Sequence, residues 1–420
     1  MISLLVPKSK AKQWKDYLQD LNCFPKSIGI VSGSKISAYL DSQTSDVPLD
    51  KYVLIPTSFE ENNLPKEIFN CSELQIIHNA SLPTDMEKSS LQERILACVA
   101  EIVGKKVTEE QFIVPTRFVI YSPMALLSPS SFSTKEWVAF LHRYRNTEEA
   151  NRLFSIFAKE WRVTHIALNE PIPIDDVMRR PLALQPLYGD FGKPVWEEPT
   201  AEDFSNAFWV HCKQNGIYQT WAPLYTMFSR GNSVEKARVL KFNNISNEVI
   251  ADLYAGIGYF SFSYVKGKAK SVFCWEINPW SVEALRRAAI ANNWSVCIVR
   301  HTEEYDFGVG SHQLVVFHES NEYAHSRLNS LGTSVRHVNL GMLPSSRDTW
   351  DMSTSIVRRE PGSSIHVHEN VTEDRIEKYG EEINSAFTNK LGIQTTYQVN
   401  RVKSFSPRVW HVVYDIQTVD

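Results

Sequence analysis

The chain has 420 residues, 43% of them apolar and 22% charged, and carries a formal net charge of −4. Such a composition belongs to a folded protein large enough for two or three domains, and it excludes a fibrous or disordered chain and, for want of clustered basic charge, a protein that coats nucleic acid non-specifically. No apolar run approaches the roughly 20 residues of a membrane helix, and the start, Met1 to Lys8, is too short for a signal sequence, so a cytoplasmic protein without a membrane partner is expected.

Residues 1–120 mix short apolar runs, Ile28 to Val31 and Tyr52 to Ile55, with a helix predicted from Ser90 to Val103, where Leu91, Ile95, Leu96 and Val99 recur at helical spacing. An α+β N-terminal accessory domain is the reading. Glu136 to Trp161 reads as helical, the proline-rich Asn169 to Pro186 breaks it, and a connection leads into Gly216 to Trp221, which makes 121–225 an intermediate α+β region. From Asn247 the order is strand, glycine turn, helix, strand (Ser271 to Trp275), helix (Trp280 to Asn293), strand, the alternation of a doubly wound, mostly parallel α/β sheet. Thr395 to Val402 and Val409 to Ile416 then close the chain as an antiparallel hairpin, so 226–420 is predicted to be a Rossmann-like domain. The six cysteines contain no Cys-x-x-Cys pair, which suggests neither a zinc knot nor a disulfide framework.

The most informative stretch is Val249 to Phe260, an apolar strand that runs into Asp252 and the two-glycine turn of Gly256 and Gly258. Glycine there lets the backbone approach a ligand, and the helix that follows presents free N–H groups. A dinucleotide fingerprint would place a third glycine at 261, where this chain has Ser261, so an NAD dehydrogenase is disfavoured. Glu276 ends the second strand, twenty residues beyond Gly256, where a carboxylate can accept both ribose hydroxyls. Upstream, Met227 to Asn232 leads into a helix start with Ser233 as its expected cap and with Lys236 and Arg238 projecting from its first turns. Asn339 precedes a Gly/Pro loop, Gly341 to Ser346, that is placed to line a substrate lip through Pro344 and Ser345. His366 and His368 share one strand face with Glu369 following, but no further ligand set completes a metal site. Arg179, Arg180 and Lys403 are among the basic candidates for nucleic-acid contact, with Trp221 and Tyr259 among the rings available for stacking.

Five blocks in order resemble the tRNA wybutosine-synthesizing protein 2 family: Met227-Phe228-Ser229-x-Gly231-Asn232-x-x-Glu235-Lys236-x-Arg238, Asp252 to Phe260, Glu276-x-Asn278-Pro279, Leu340-Gly341-x-Leu343-Pro344-Ser345-Ser346, and His366-x-His368-Glu369-Asn370. The match covers most of 215–420. It implies an S-adenosylmethionine-dependent transferase that moves the 3-amino-3-carboxypropyl group to the tricyclic base 4-demethylwyosine, beside the anticodon of phenylalanine tRNA. Carried over with it are Ser229, Lys236, Glu276, Glu303 and Glu304 as cofactor contacts, which join Asp252, Gly256 and Gly258 of the glycine turn. Asn339 becomes the candidate that positions the acceptor, and Arg179, Arg180, Pro344 and Ser345 the candidate substrate contacts, with no metal and a monomeric chain expected. Glu303-Glu304 stands where the family commonly has Asp-Asn. A guanine-N1 methyltransferase, or a non-catalytic tRNA-binding scaffold of the same fold, are the alternatives; three residues between Leu340 and Pro344 favour aminocarboxypropyl transfer over methylation.

Overall fold

The computed structural model describes the chain except for residues 1, 26–29, 33–35, 37–47, 60–62, 79–88, 170–175 and 177. It forms two compact units, Met1–Val114 with Thr134–Glu136, and Pro115–Ser133 with Trp137–Asp420. In the first, strands run 31–32, 52–56, 2–7 and 75–78 across one sheet whose described pairs are all antiparallel. The Tyr52 run is a strand as expected, while of the Ile28 run residues 28 and 29 lie outside the described residues and Val31 begins the short strand Val31–Ser32. The predicted helix is Leu91–Val103. Ser90 and Glu93 close a capping box at its start, and Gly104, with φ of 67°, ends it in the left-handed conformation.

In the second unit, apart from Lys135 and Glu136, the stretch expected as one helical run is two helices, Lys135–Tyr144 and Glu148–Trp161. Asn146 takes a positive φ between them and Thr147 caps the second, signals a purely periodic reading passes over. These helices accompany a four-stranded sheet ordered 118–121, 124–127, 165–168, 185–188, and Val210–Gln214 pairs with Ile217–Trp221 as a hairpin.

The dominant element is an eight-stranded sheet in the order 296–300, 314–318, 271–275, 249–252, 337–340, 364–372, 409–418, 395–406. The first six strands are parallel to their neighbours, and the last two add antiparallel pairs, the hairpin expected at this end. Strand Val249–Asp252 is buried at every position, as is Ser271–Trp275, because helices cover both faces of a parallel sheet. One face packs Phe273, Phe317, Trp350 and Phe387, the other Phe260, Phe262, Tyr264 and Leu285. Strand order changes direction at Val249–Asp252, so the loop after Asp252 lies at the switch point where ligands sit in open α/β sheets.

Candidate functional site

The loop after Asp252 has the backbone its glycines imply. Gly256 and Gly258 adopt φ of 56° and 87°, and a Cβ on Gly258 would stand 2.5 Å from the Phe262 ring. The helix that follows, Ser261–Lys266, begins where a third glycine would have been. Ser261 donates its hydroxyl to Asp252 Oδ2 at 2.7 Å, and Asn339 donates its amide to Asp252 Oδ1 at 3.1 Å. Asp252 and Asn339 are direct register partners on adjacent strands, and both are buried. The pair ties the glycine loop to the strand beside it. Burial raises the Asp252 carboxyl, and the Ser261 and Asn339 bonds oppose that. Ser261→Ala removes one of those donors from a buried carboxylate, and a loss of about 1–3 kcal/mol in urea unfolding is the expected outcome.

Glu276 sits across the turn. Its Oε2 accepts from Gly256 N at 2.8 Å and its Oε1 from Asn278 N at 2.8 Å. Asn278 also caps the helix Pro279–Ala291, accepting from Trp280 N, with proline at the first helical position. Burial raises the Glu276 carboxyl to about 7 against the pull of its backbone donors. The carboxylate is therefore held rigidly at the edge of the turn, with lone pairs left to receive a diol.

On the other side, Ser229 Oγ meets Asn232 Oδ1 at 3.3 Å, and Ser233 does not cap the helix. Asn232 occupies that position without a side-chain bond, and Ser233 is the first residue of Ser233–Val239. Lys236 points inward and is 3% exposed. It donates to Gln219 Oε1 at 2.8 Å and Gln214 Oε1 at 3.2 Å, and its Nζ stands 4.5 Å from the Phe228 ring centroid and 5.1 Å from that of Tyr259. Desolvation lowers its ammonium to about 7. A base depressed in the folded state binds fewer protons than the unfolded chain between that value and 10.5, so folding stability rises with pH across this window by about 1.4 kcal/mol per unit. In Lys236→Met that slope is expected to vanish from unfolding curves collected at pH 7 and pH 9. Tyr259 donates its hydroxyl to Met227 O, which binds the glycine loop to the segment carrying Ser229. Lys403, read from sequence only as a nucleic-acid candidate, donates to Ser229 Oγ at 3.0 Å, and Gly231 is a glycine because a Cβ would lie 2.6 Å from the Lys403 stem.

Glu303 and Glu304 are not beside Glu276. The strand paired with Ser271–Trp275 is Leu314–His318, and Val296–Arg300 is one strand further out. Both glutamates are exposed, and Glu303 accepts from Arg300 N and Arg300 Nη1. The loop next to Glu276 is instead Glu319-Ser320-Asn321: Asn321 donates to Leu253 O at 2.9 Å, and buried Glu319 accepts from Arg327 Nη2 at 2.7 Å. The unbroken apolar run Leu314 to Phe317 was the available signal, since it reads as a central strand, whereas Val296–Arg300 ends in a charge.

The candidate substrate contacts divide. Arg180 is committed to Asp176, with Nη2 to Oδ1 at 2.8 Å, while no described carboxylate pairs with Arg179. Pro344 and Ser345 are exposed, and Ser345 donates to Glu369 Oε1 at 3.0 Å, fastening the loop to strand 364–372. His366 and His368 are buried in hydrogen bonds to Asp415 and His411. Among the described residues no group of His, Cys, Asp or Glu is arranged to hold a metal, and no helix is long and apolar enough to cross a membrane.

A parallel sheet with a glycine turn at its switch point and a fixed carboxylate on the adjoining strand is the frame of a nucleoside-cofactor enzyme, and the lack of a third glycine at Ser261 fits an S-adenosylmethionine-dependent transferase. Residues 210–337 match the TRM5/TYW2 methyltransferase domain. The chain is 58% identical to the tRNA wybutosine-synthesizing protein 2 of Schizosaccharomyces pombe over the whole length of both. It is 32% identical to that of Saccharomyces cerevisiae over 83% of each. The chain belongs to the tRNA wybutosine-synthesizing protein 2 family. Among solved structures, Pyrococcus horikoshii TYW2 in complex with MeSAdo shares the fold at TM-score 0.53 and 21% identity, covering 78% of this chain and 99% of that one. Trm5b of Pyrococcus abyssi does so at TM-score 0.52 and 17% identity over all of both chains.

Proposed function

We propose that this enzyme transfers the 3-amino-3-carboxypropyl group of S-adenosylmethionine to 4-demethylwyosine, beside the anticodon of phenylalanine tRNA, in wybutosine biosynthesis. The observation that carries the reading is the full-length likeness to a wybutosine-synthesizing protein. In the step, the acceptor carbon forms a bond to the carbon chain, the carbon–sulfur bond breaks, methylthioadenosine leaves with the electron pair, and the acceptor's proton passes to solvent. A sulfonium activates three carbons, so the product is selected by which one stands in line with the nucleophile. Glu276 receives the ribose at the edge of the turn formed by Gly256 and Gly258. Ser229, supported by Lys403, and Lys236 form the opposite wall, and Ser320 and Asn321 replace Glu303 and Glu304 on the adenine side. Arg179, Pro344 and Ser345 face the RNA. We read 226–420 as the catalytic domain, 121–225 as the region that contacts tRNA and 1–120 as an accessory domain, in a chain that works as a cytoplasmic monomer.

Guanine-N1 methylation is the second reading, because the matched domain is shared by TRM5 and TYW2. Incubation with tRNA bearing 4-demethylwyosine and with S-adenosylmethionine labelled separately in methyl and carboxyl carbons decides between them. Carboxyl label in the RNA is the expected result, and transfer of methyl label alone would overturn it.

A further inference from the structure

We infer that the cavity between the strands Phe118–Tyr121 and Met124–Leu127 and the segment Trp221–Arg230 is the seat of the target nucleobase. The inference rests on the RNA-modifying reading above. The cavity measures about 610 Å³, and Tyr121, Trp221 and Phe228 line it with Arg117 and Arg230. Trp221 and Phe228 are stacked at 4.7 Å, and Tyr121 meets both edge-on at 4.9 and 5.6 Å. Walls of this kind accept a planar π-system of any base, which is how proteins hold unstacked nucleotides.

Three further features select a nucleotide over a plain apolar ligand. Thr226 also lines the cavity, is 3% exposed, and has a hydroxyl with no hydrogen-bond partner. Burying a hydroxyl unpaired is costly, so Thr226 is suited to the polar edge of a base. Arg117 and Arg230 are exposed, and no described carboxylate is paired with either; they suit the phosphates on either side of a splayed-out nucleotide. Phe228 is shared with the cofactor site: its ring is parallel-displaced from Tyr259 of the glycine turn at 6.3 Å, and Lys236 lies over it. A base held here is one aromatic ring away from the turn that holds the donor. The cavity therefore gives residues 115–225 a task in the reaction, that of holding the acceptor.

The test uses the full chain and an anticodon stem-loop RNA with 2-aminopurine at the nucleotide following the anticodon. Binding is expected to quench the fluorophore through stacking. Tyr121→Ile is expected to reduce the quench and to weaken RNA binding by about five- to a hundredfold, the range spanned by losing a single base–aromatic stack, and Thr226→Val to weaken RNA binding by about two- to tenfold through the loss of one hydrogen bond to the base edge. Calorimetry with S-adenosylmethionine should give the wild-type affinity for both variants and so confirm that they are folded. Wild-type quench and affinity in the folded variants would overturn the cavity assignment alone if the wild-type chain still labels tRNA. Absence of any label transfer by the wild type would overturn the functional reading, and the cavity assignment with it.

Discussion

Glu276→Gln binds S-adenosylmethionine about ten- to a hundredfold more weakly than the wild type in calorimetry, because the ribose loses charge-assisted hydrogen bonds worth about 1.5–3 kcal/mol. Glutamine keeps the size and one acceptor oxygen, but it turns an amide donor toward either Gly256 N or Asn278 N, each of which is itself a donor. The pH dependence gives a second, independent reading. The carboxyl of the free protein is pushed up to about 7, and the ribose hydroxyls donate to the ionised form, so protons compete with the cofactor below that value. Wild-type affinity is expected to fall about tenfold per pH unit below 7, and affinity of the glutamine variant to stay level. Without cofactor the sign is reversed for stability: a carboxyl raised in the folded state holds a proton that the unfolded chain has lost, so its contribution declines from pH 4.5 to about 7. Equal affinities of the two proteins at pH 8 would remove Glu276 from the site.

The largest stability effect is expected at Asp415. Its carboxylate accepts from His366 Nδ1 at 2.6 Å, from Asn400 at 2.9 Å, and from both terminal nitrogens of Arg238, which also binds Glu235. His366 further meets His337 at 3.0 Å, and His337 reaches the Asn244 carbonyl at 3.2 Å. Burial alone would raise the Asp415 carboxyl, but His366 and Arg238 outweigh it and hold the group well below the usual carboxylate range. Removing one partner of such a network leaves a buried charge uncompensated, so Asp415→Asn is expected to cost about 3–5 kcal/mol in urea unfolding. Joint replacement of Arg238 by Met, Asp415 by Leu and Glu235 by Gln should cost less than the three single losses summed, since the buried carboxylates that Arg238 pairs are removed with it. A depressed carboxyl contributes stability that is complete above the unfolded value of about 4 and declines as pH falls further, and the Asn variant should lack that acid limb. A cost for Asp415→Asn below 1 kcal/mol would show the network to be energetically idle.

Much of this architecture was legible because the deciding signals are local. Val249 to Gly258 announces strand and turn through an apolar run followed by glycines at positions of positive φ, and Ser90 with Glu93 announces a helix start through a capping box. The position of Glu276 is legible for the same reason, at the end of a uniformly buried strand. Which strand lies next to which is not legible in this way. Pairing of distant strands is not written in either strand's own pattern, so the placement of Leu314–His318 between Ser271–Trp275 and Val296–Arg300, which sets Glu303 and Glu304 one strand further out, comes from the structure. The bond between Asp252 and Asn339 is hidden for the same reason: each looks like a free polar group at a strand end until the register puts them face to face. Lys403 could not be joined to Ser229 from sequence, since 174 residues separate them and only the closing hairpin brings them together.

The two backbone donors on Glu276 have a kinetic side as well. A glutamate side chain free to rotate surrenders its rotamer freedom when it grips a ligand, at an entropic cost of order 1 kcal/mol. Here Gly256 and Asn278 have fixed both oxygens before any ribose arrives. With Glu276 in the role proposed for it, the folding of the turn has already met that ordering cost, and discrimination among nucleosides falls to how well their hydroxyls fit a carboxylate already held in place, with no side-chain search to slow the match.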